Sequence, residues 1–161
     1  MANNMCAMIK YDNELLWSTT SCNNQQSFLC AMDVGTTAPA ACDPNPCPAE
    51  AVCSPGYTLF PGTCKCYKYF NQPTYWDQAN QICTQDGGML AKITDDAEND
   101  FLTVFPGVRC TKYNYQPTEA CPFIGLYCEG KTISTCEWSD GTELEGYYGF
   151  ECELHTSRVR K

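Results

Sequence analysis

Apolar side chains between residues 74 and 86 fall at Trp76, Ala79 and Ile82/Cys83, the three-to-four-residue step of a helix with one covered face. Thr74 stands at the N-cap position, Asp77 three residues on takes the capping-box place, and Gly87-Gly88 supplies a stop, so a helix is predicted through Asp86. A second helix is predicted from Thr94. Asp95, Asp96 and Glu98 favour its positive N-terminal end, Ala97, Phe101, Leu102 and Phe105 form the stripe to be buried, and Pro106-Gly107 ends it. Downstream the period shortens to that of strands, over Phe123 to Tyr127 and Thr132 to Trp138, with turns at Glu129-Gly130 and Asp140-Gly141. The first part of the chain also has strand character, at Cys6 to Tyr11, Glu14 to Trp17 and Gln26 to Ala31, with Asp12-Asn13 as a turn. Between these parts lies VGTTAPAA, residues 34 to 41, small, Pro-containing and aperiodic, the pattern of a linker. Two helices beside several short strands predict an α+β domain.

Cysteine content sharpens this picture. Fourteen cysteines among 161 residues are an even number and point to a disulfide framework formed in an oxidising compartment, hence a secreted, extracellular protein. The length suits one domain with a small cysteine-rich addition rather than two complete domains. A formal charge of −9 disfavours nucleic acid and anionic membranes as partners and leaves cationic or neutral ones open. No apolar run approaches the roughly 20 residues of a membrane span, and the opening MANNMCAMIK lacks the basic and apolar regions of a secretory leader.

Several strings, taken jointly, resemble the C-type lectin-like family. Tyr75-Trp76-x-x-Ala79-x-x-x-Cys83 is similar to its first helix, Gly88-x-Leu90-Ala91-x-Ile93 to the following strand, Phe123-Ile124-Gly125-Leu126 to its core strand, and Trp138-Ser139-Asp140-Gly141 to the strand end that opens the long ligand loop. The family's closing third is missing after Phe150, yet CAMIKYDNELLWSTTSCNNQQSFLC, residues 6 to 30, resembles it. The resemblance therefore implies that residues 1 to 32 are the C-terminal portion of such a domain, 33 to 41 a linker, 42 to 66 a cysteine-rich segment with an opening hairpin, 67 to 150 the first two-thirds of a C-type lectin-like domain, and 151 to 161 a polar tail. Three arrangements are open: pieces of two domains, an intramolecular fold-back in permuted order, or a strand-exchanged dimer.

The same resemblance implies disulfides. Cys6 and Cys22 would clamp a hairpin, Cys30 would partner Cys83, Cys128 and Cys136 would form an extra bridge of a kind frequent in nematode members, and Cys110 and Cys121 would close the loop before Phe123. For residues 42 to 66, spacings similar to an epidermal-growth-factor-like module lack a sixth cysteine, and the preferred reading is a family-type opening hairpin tied from Cys53 to Cys64. Cys42, Cys47, Cys66 and Cys152 have no assigned partner.

Calcium-dependent sugar binding in this family uses a carboxylate-rich loop triplet and an Asn-Asp pair after the hairpin tryptophan. Here Trp17 is followed by Ser18 and Thr19, neither EPN nor QPD occurs, and Glu143 and Glu145 read as solvated charge, so neither calcium nor another metal is expected. Tyr113, Tyr115, Tyr147, Tyr148 and Phe150 fall in predicted loops, where exposed rings can stack on a sugar or anchor an extracellular protein. Several of these rings would equally well cover the core. Catalysis is not expected: His155 is the only histidine and lies in a polar tail, and the paired acids at residues 95 to 100 are explained by helix-dipole complementarity. The expectation is a non-catalytic lectin-like module that binds a glycan or an extracellular protein, against an incomplete or structural piece without a ligand.

Overall fold

The computed structural model describes residues 4–12, 15–34, 47–108, 110, 121–130 and 133–144. Its elements are β1 (Met5–Asp12), β2 (Leu15–Ser21), β3 (Gln26–Asp33), β4 (Thr58–Phe60), β5 (Lys65–Thr74), α1 (Trp76–Gln85), β6 (Met89–Leu90), α2 (Asp96–Thr103), β7 (Phe123–Cys128) and β8 (Cys136–Trp138). The strands join in one sheet of order β2-β1-β7-β3-β5-β4, with β6 on β3 and β8 on β7. Antiparallel pairing dominates; β3 meets β7 in parallel at Phe28 and Phe123.

Strand β3 shows why the sheet has two covered faces. Its first six residues are all buried, as a strand sandwiched between layers requires. Successive side chains point to opposite faces, so Leu29 and Ala31 enter one apolar cluster while Phe28 and Cys30 enter the other. Strand β1 divides the same way, with Ala7 and Ile9 against Cys6 and Met8, and β7 does so with Ile124 and Leu126 against Phe123. Leu102 of α2 packs into the first cluster and Trp76, Ala79 and Cys83 of α1 into the second, which places one helix on each face. The fold is the expected α+β, C-type lectin-like one.

Two glycines permit close approaches. A Cβ on Gly88 would lie 2.2 Å from the Ala31 carbonyl oxygen. One on Gly125 would lie 2.7 Å from that of Leu90, where the Gly125 amide donates to Ala91 O at 2.8 Å.

Among the described residues six disulfides lock this arrangement: Cys6–Cys22, Cys30–Cys83, Cys47–Cys64, Cys53–Cys66, Cys110–Cys121 and Cys128–Cys136. The second matters most, because it ties β3 to α1 across 53 positions of sequence. Strands β1 to β3 thus share one sheet and both apolar clusters with the described strands and helices that follow, within a single chain.

Several expectations are corrected. Cys53 joins Cys66, not Cys64, because Cys66 stands in β5 opposite Leu59 of β4, whereas Cys64 sits at the preceding turn with φ of 52° and is drawn to Cys47. Thr74 does not cap the first helix; it ends β5 and its hydroxyl donates to Gln72 O, leaving Tyr75 as a cap residue without a side-chain bond. The second helix begins at Asp96 rather than Thr94, with Asp95 as its N-cap accepting from the Glu98 amide at 2.8 Å. Of the expected stripe Leu102 and Phe105 are buried and Phe101 partly so, but Ala97 is exposed, and the helix buries Glu98 and Asn99 as well. The strand expected over residues 132 to 138 is a 3-10 turn at Ile133–Thr135 followed by β8. Cys42 and Cys152 lie outside the described residues.

Candidate recognition site

At the end of the sheet where the family's long loop begins, strands from both parts of the chain converge. Trp17 of β2 meets Trp138 of β8 edge to face, with ring centroids 5.5 Å apart, and its indole N–H donates to Asn99 Oδ1 at 2.7 Å. This contact aligns two strands that lie far apart in sequence.

Beyond Trp138 the chain turns at Asp140-Gly141, Gly141 supplying a φ of 82°. Lys92 Nζ lies 2.9 Å from Asp140 Oδ2 and 2.6 Å from Thr142 Oγ1, and the Thr142 amide donates to Asp140 Oδ1 at 2.9 Å. Burial alone would raise the Asp140 carboxyl, but the bonds from Thr142 and Lys92 outweigh it and hold it down at about 2.

The buried Glu98 carboxylate is likewise satisfied from within. Lys65 Nζ lies 3.0 Å from Oε1 and also donates to Lys92 O, the Tyr67 and Thr63 hydroxyls donate to Oε1, and the amide and hydroxyl of Thr94 donate to Oε2. Burial, with the neighbouring Glu98 charge, pushes the Tyr67 hydroxyl far above its ordinary range, so it remains a donor.

Among the described residues no side-chain set of the kind calcium takes is gathered at this end of the sheet. Calcium takes six or more oxygens, several of them carboxylate. Ser18 and Thr19 bring only hydroxyls beside Trp17, Asp140 and Glu98 each already hold a lysine ammonium, and no group of three or more metal-binding side chains occurs among the described residues.

A cleft of about 460 Å³ opens between α1 and strands β7 and β8. Trp76 and Tyr127 form its aromatic side, with ring centroids 5.5 Å apart, and the Trp76 indole N–H is anchored to Ile124 O at 2.9 Å. Asp77 and Glu137 are exposed at the cleft, and Asn4, Asn23, Asn80 and Ser139 are the other polar residues of its lining. The sequence pattern points to Asp77 only as a capping residue and gives no sign of Tyr127 or Glu137. Neither carries a motif, and only the register that sets Tyr127 opposite Glu137 brings them to one place.

The predicted aromatic contacts Tyr113, Tyr115, Tyr147, Tyr148 and Phe150 lie outside the described residues, as do Glu145 and His155. The structure places the Cys110–Cys121 bridge, which is buried. Glu143 is exposed and Leu144 is buried.

This fold, with the tryptophan junction and the sheet-end turn, is that of a lectin-type recognition domain. Residues 72–156 match the family model of the lectin C-type domain, and the chain belongs to that family. It is similar to the alpha subunit of snaclec bitiscetin from Bitis arietans, 32% identical over 57% of this chain and 66% of that protein. It is also 33% identical to one of the chains of the snaclec coagulation factor IX-binding protein from Protobothrops flavoviridis, over 65% of this chain and 78% of that one. With the alpha subunit of snaclec stejaggregin-A from Trimeresurus stejnegeri the identity is 34%, over 60% of this chain and 58% of that one. The chain thus spans between 58% and 78% of the length of these three relatives. No solved structure gives a significant match.

Proposed function

We propose that this chain is a secreted recognition domain that binds an extracellular protein without catalysis and without calcium. The observation that carries the reading is the occupation of the two best-held carboxylates, Asp140 and Glu98, by Lys92 and Lys65, which leaves the family's metal chemistry no ligand set among the described residues. A relative named for binding coagulation factor IX supports a protein rather than a sugar as the ligand. The six disulfides suit an oxidising, extracellular setting. Strands β1 to β3 act as the family's closing strands supplied from the front of the chain, an arrangement in permuted order that their pairing with β5 and β7 supports. The nematode association of the Cys128–Cys136 bridge draws no support from the snaclec relatives.

The test is an array of purified extracellular proteins beside a glycan array, each probed with the full chain in calcium and in chelator. Saturable protein binding that persists in chelator and is not competed by sugar is expected. Sugar-competed binding that chelator abolishes would sink the reading.

A further inference from the structure

Every charged side chain lining the cleft between α1 and β7–β8 is a carboxylate, and no lysine or arginine lines it among the described residues. Asp77 stands on the helix wall and Glu137 on the strand wall, and Tyr127 of the same lining is packed on Trp76 and paired in register with Glu137. A further acceptor lies in the same lining: Asn4 Oδ1 is buried and receives no hydrogen bond among the described residues. These carboxylates differ from those at the sheet end. Lys92 and Lys65 cover Asp140 and Glu98, whereas Asp77 and Glu137 keep their charge exposed beside aromatic rings.

The complementary ligand is a flat cation rich in donors. A guanidinium offers five N–H groups in a plane, forms paired bonds with carboxylates and stacks on aromatic faces. A cation over a tyrosine ring is attracted by the negative face of the ring. A metal ion fits less well, since two carboxylates on separate walls do not build the oxygen shell that calcium needs. An anionic ligand would meet like charge both here and in a chain of net charge −9. The negative field is also felt at the Tyr127 hydroxyl, which burial first, and then Glu129, Asp77 and Glu137, push above its ordinary range.

We propose that this cleft receives the guanidinium of an arginine side chain presented by the extracellular protein partner. The proposal rests on the protein-binding reading above and names the chemistry by which that partner is held. Asp77 and Glu137 would both pair with the guanidinium.

The probe is N-acetyl-arginine amide, titrated into the full chain carrying 15N-labelled tryptophan, with N-acetyl-citrulline amide as the neutral isostere. The Trp76 indole N–H, anchored beside the cleft, is the reporter. A saturable shift with the arginine compound and none with citrulline at equal concentration is expected, with at least about tenfold weaker binding in the D77N/E137Q double variant. Both side chains are exposed, so the variant keeps its fold, checked by circular dichroism. Equal response to both compounds, no response to either, or a response unchanged in the double variant would overturn the proposal. A protein partner from the array that binds wild type and double variant alike would overturn the cleft's role and leave the protein-binding reading standing. An arginine response in a chain that binds no protein would support the cleft's chemistry and remove the protein as its source.

Discussion

Glu98 is where one side chain decides most. It is fully buried, and an uncompensated carboxylate there would be strongly destabilising, so its stability contribution depends on Lys65, itself only 17% exposed. Lys65→Met is expected to lower the unfolding free energy by about 3 kcal/mol, measured by urea denaturation, and Glu98→Gln in the same background should recover part of that loss. Asp140 offers a test by pH. Its folded value near 2 lies below the ordinary value of about 3.9, so its contribution is complete above pH 4 or so and is lost as pH falls toward 2. The stability advantage of wild type over Asp140→Asn should therefore shrink as pH falls through that window, and an advantage that stays constant would contradict the assignment. The acidity of residues 95 to 100 is legible in the sequence as helix-dipole complementarity. That Glu98 turns inward is not, because its partners Lys65 and Tyr67 sit more than thirty positions away on another element.

Among the elements, the two helices show how far periodicity reaches. The helical step at Trp76, Ala79 and Cys83 names the face that α1 buries, while residue type alone misplaces the cap, since Thr74 is held in β5 by pairing with Gln26 of β3. For α2 the cap is Asp95. Asp95→Ala should cost about 1 kcal/mol and speed hydrogen exchange at the Glu98 amide, whereas Thr74→Ala should leave the first amides of α1 unchanged. Resemblance to the family is enough to suggest the opening hairpin, but Cys64 and Cys66 differ by two positions and resemblance does not choose between them. The register of β4 on β5 makes that choice.

Over the whole molecule, Cys30–Cys83 joins the front of the chain to the part that matches the family model. Closing a loop of 53 residues contributes about 4 kcal/mol by restricting the unfolded chain, so the Cys30→Ser/Cys83→Ser pair should lower stability by about that much, read as a fall in the urea midpoint. Proteolysis and mass spectrometry of the unreduced monomer should yield a peptide joining Cys30 to Cys83. The same peptide found only in a dimer fraction would point to exchange of β1 to β3 between chains.

Fold class, the positions of both helices, the core strands and the disulfide-rich, acidic character of the chain can be read directly from its residues, because periodicity, composition and cysteine number are local or additive properties. Three features emerge only in the folded chain: which cysteine meets which in residues 47 to 66, the neutralisation of the best-held carboxylates by two lysines, and the meeting of Asp77, Tyr127 and Glu137 at one cleft. Each of these depends on strand register or on the packing of one element against another, and the local pattern of residues sets neither.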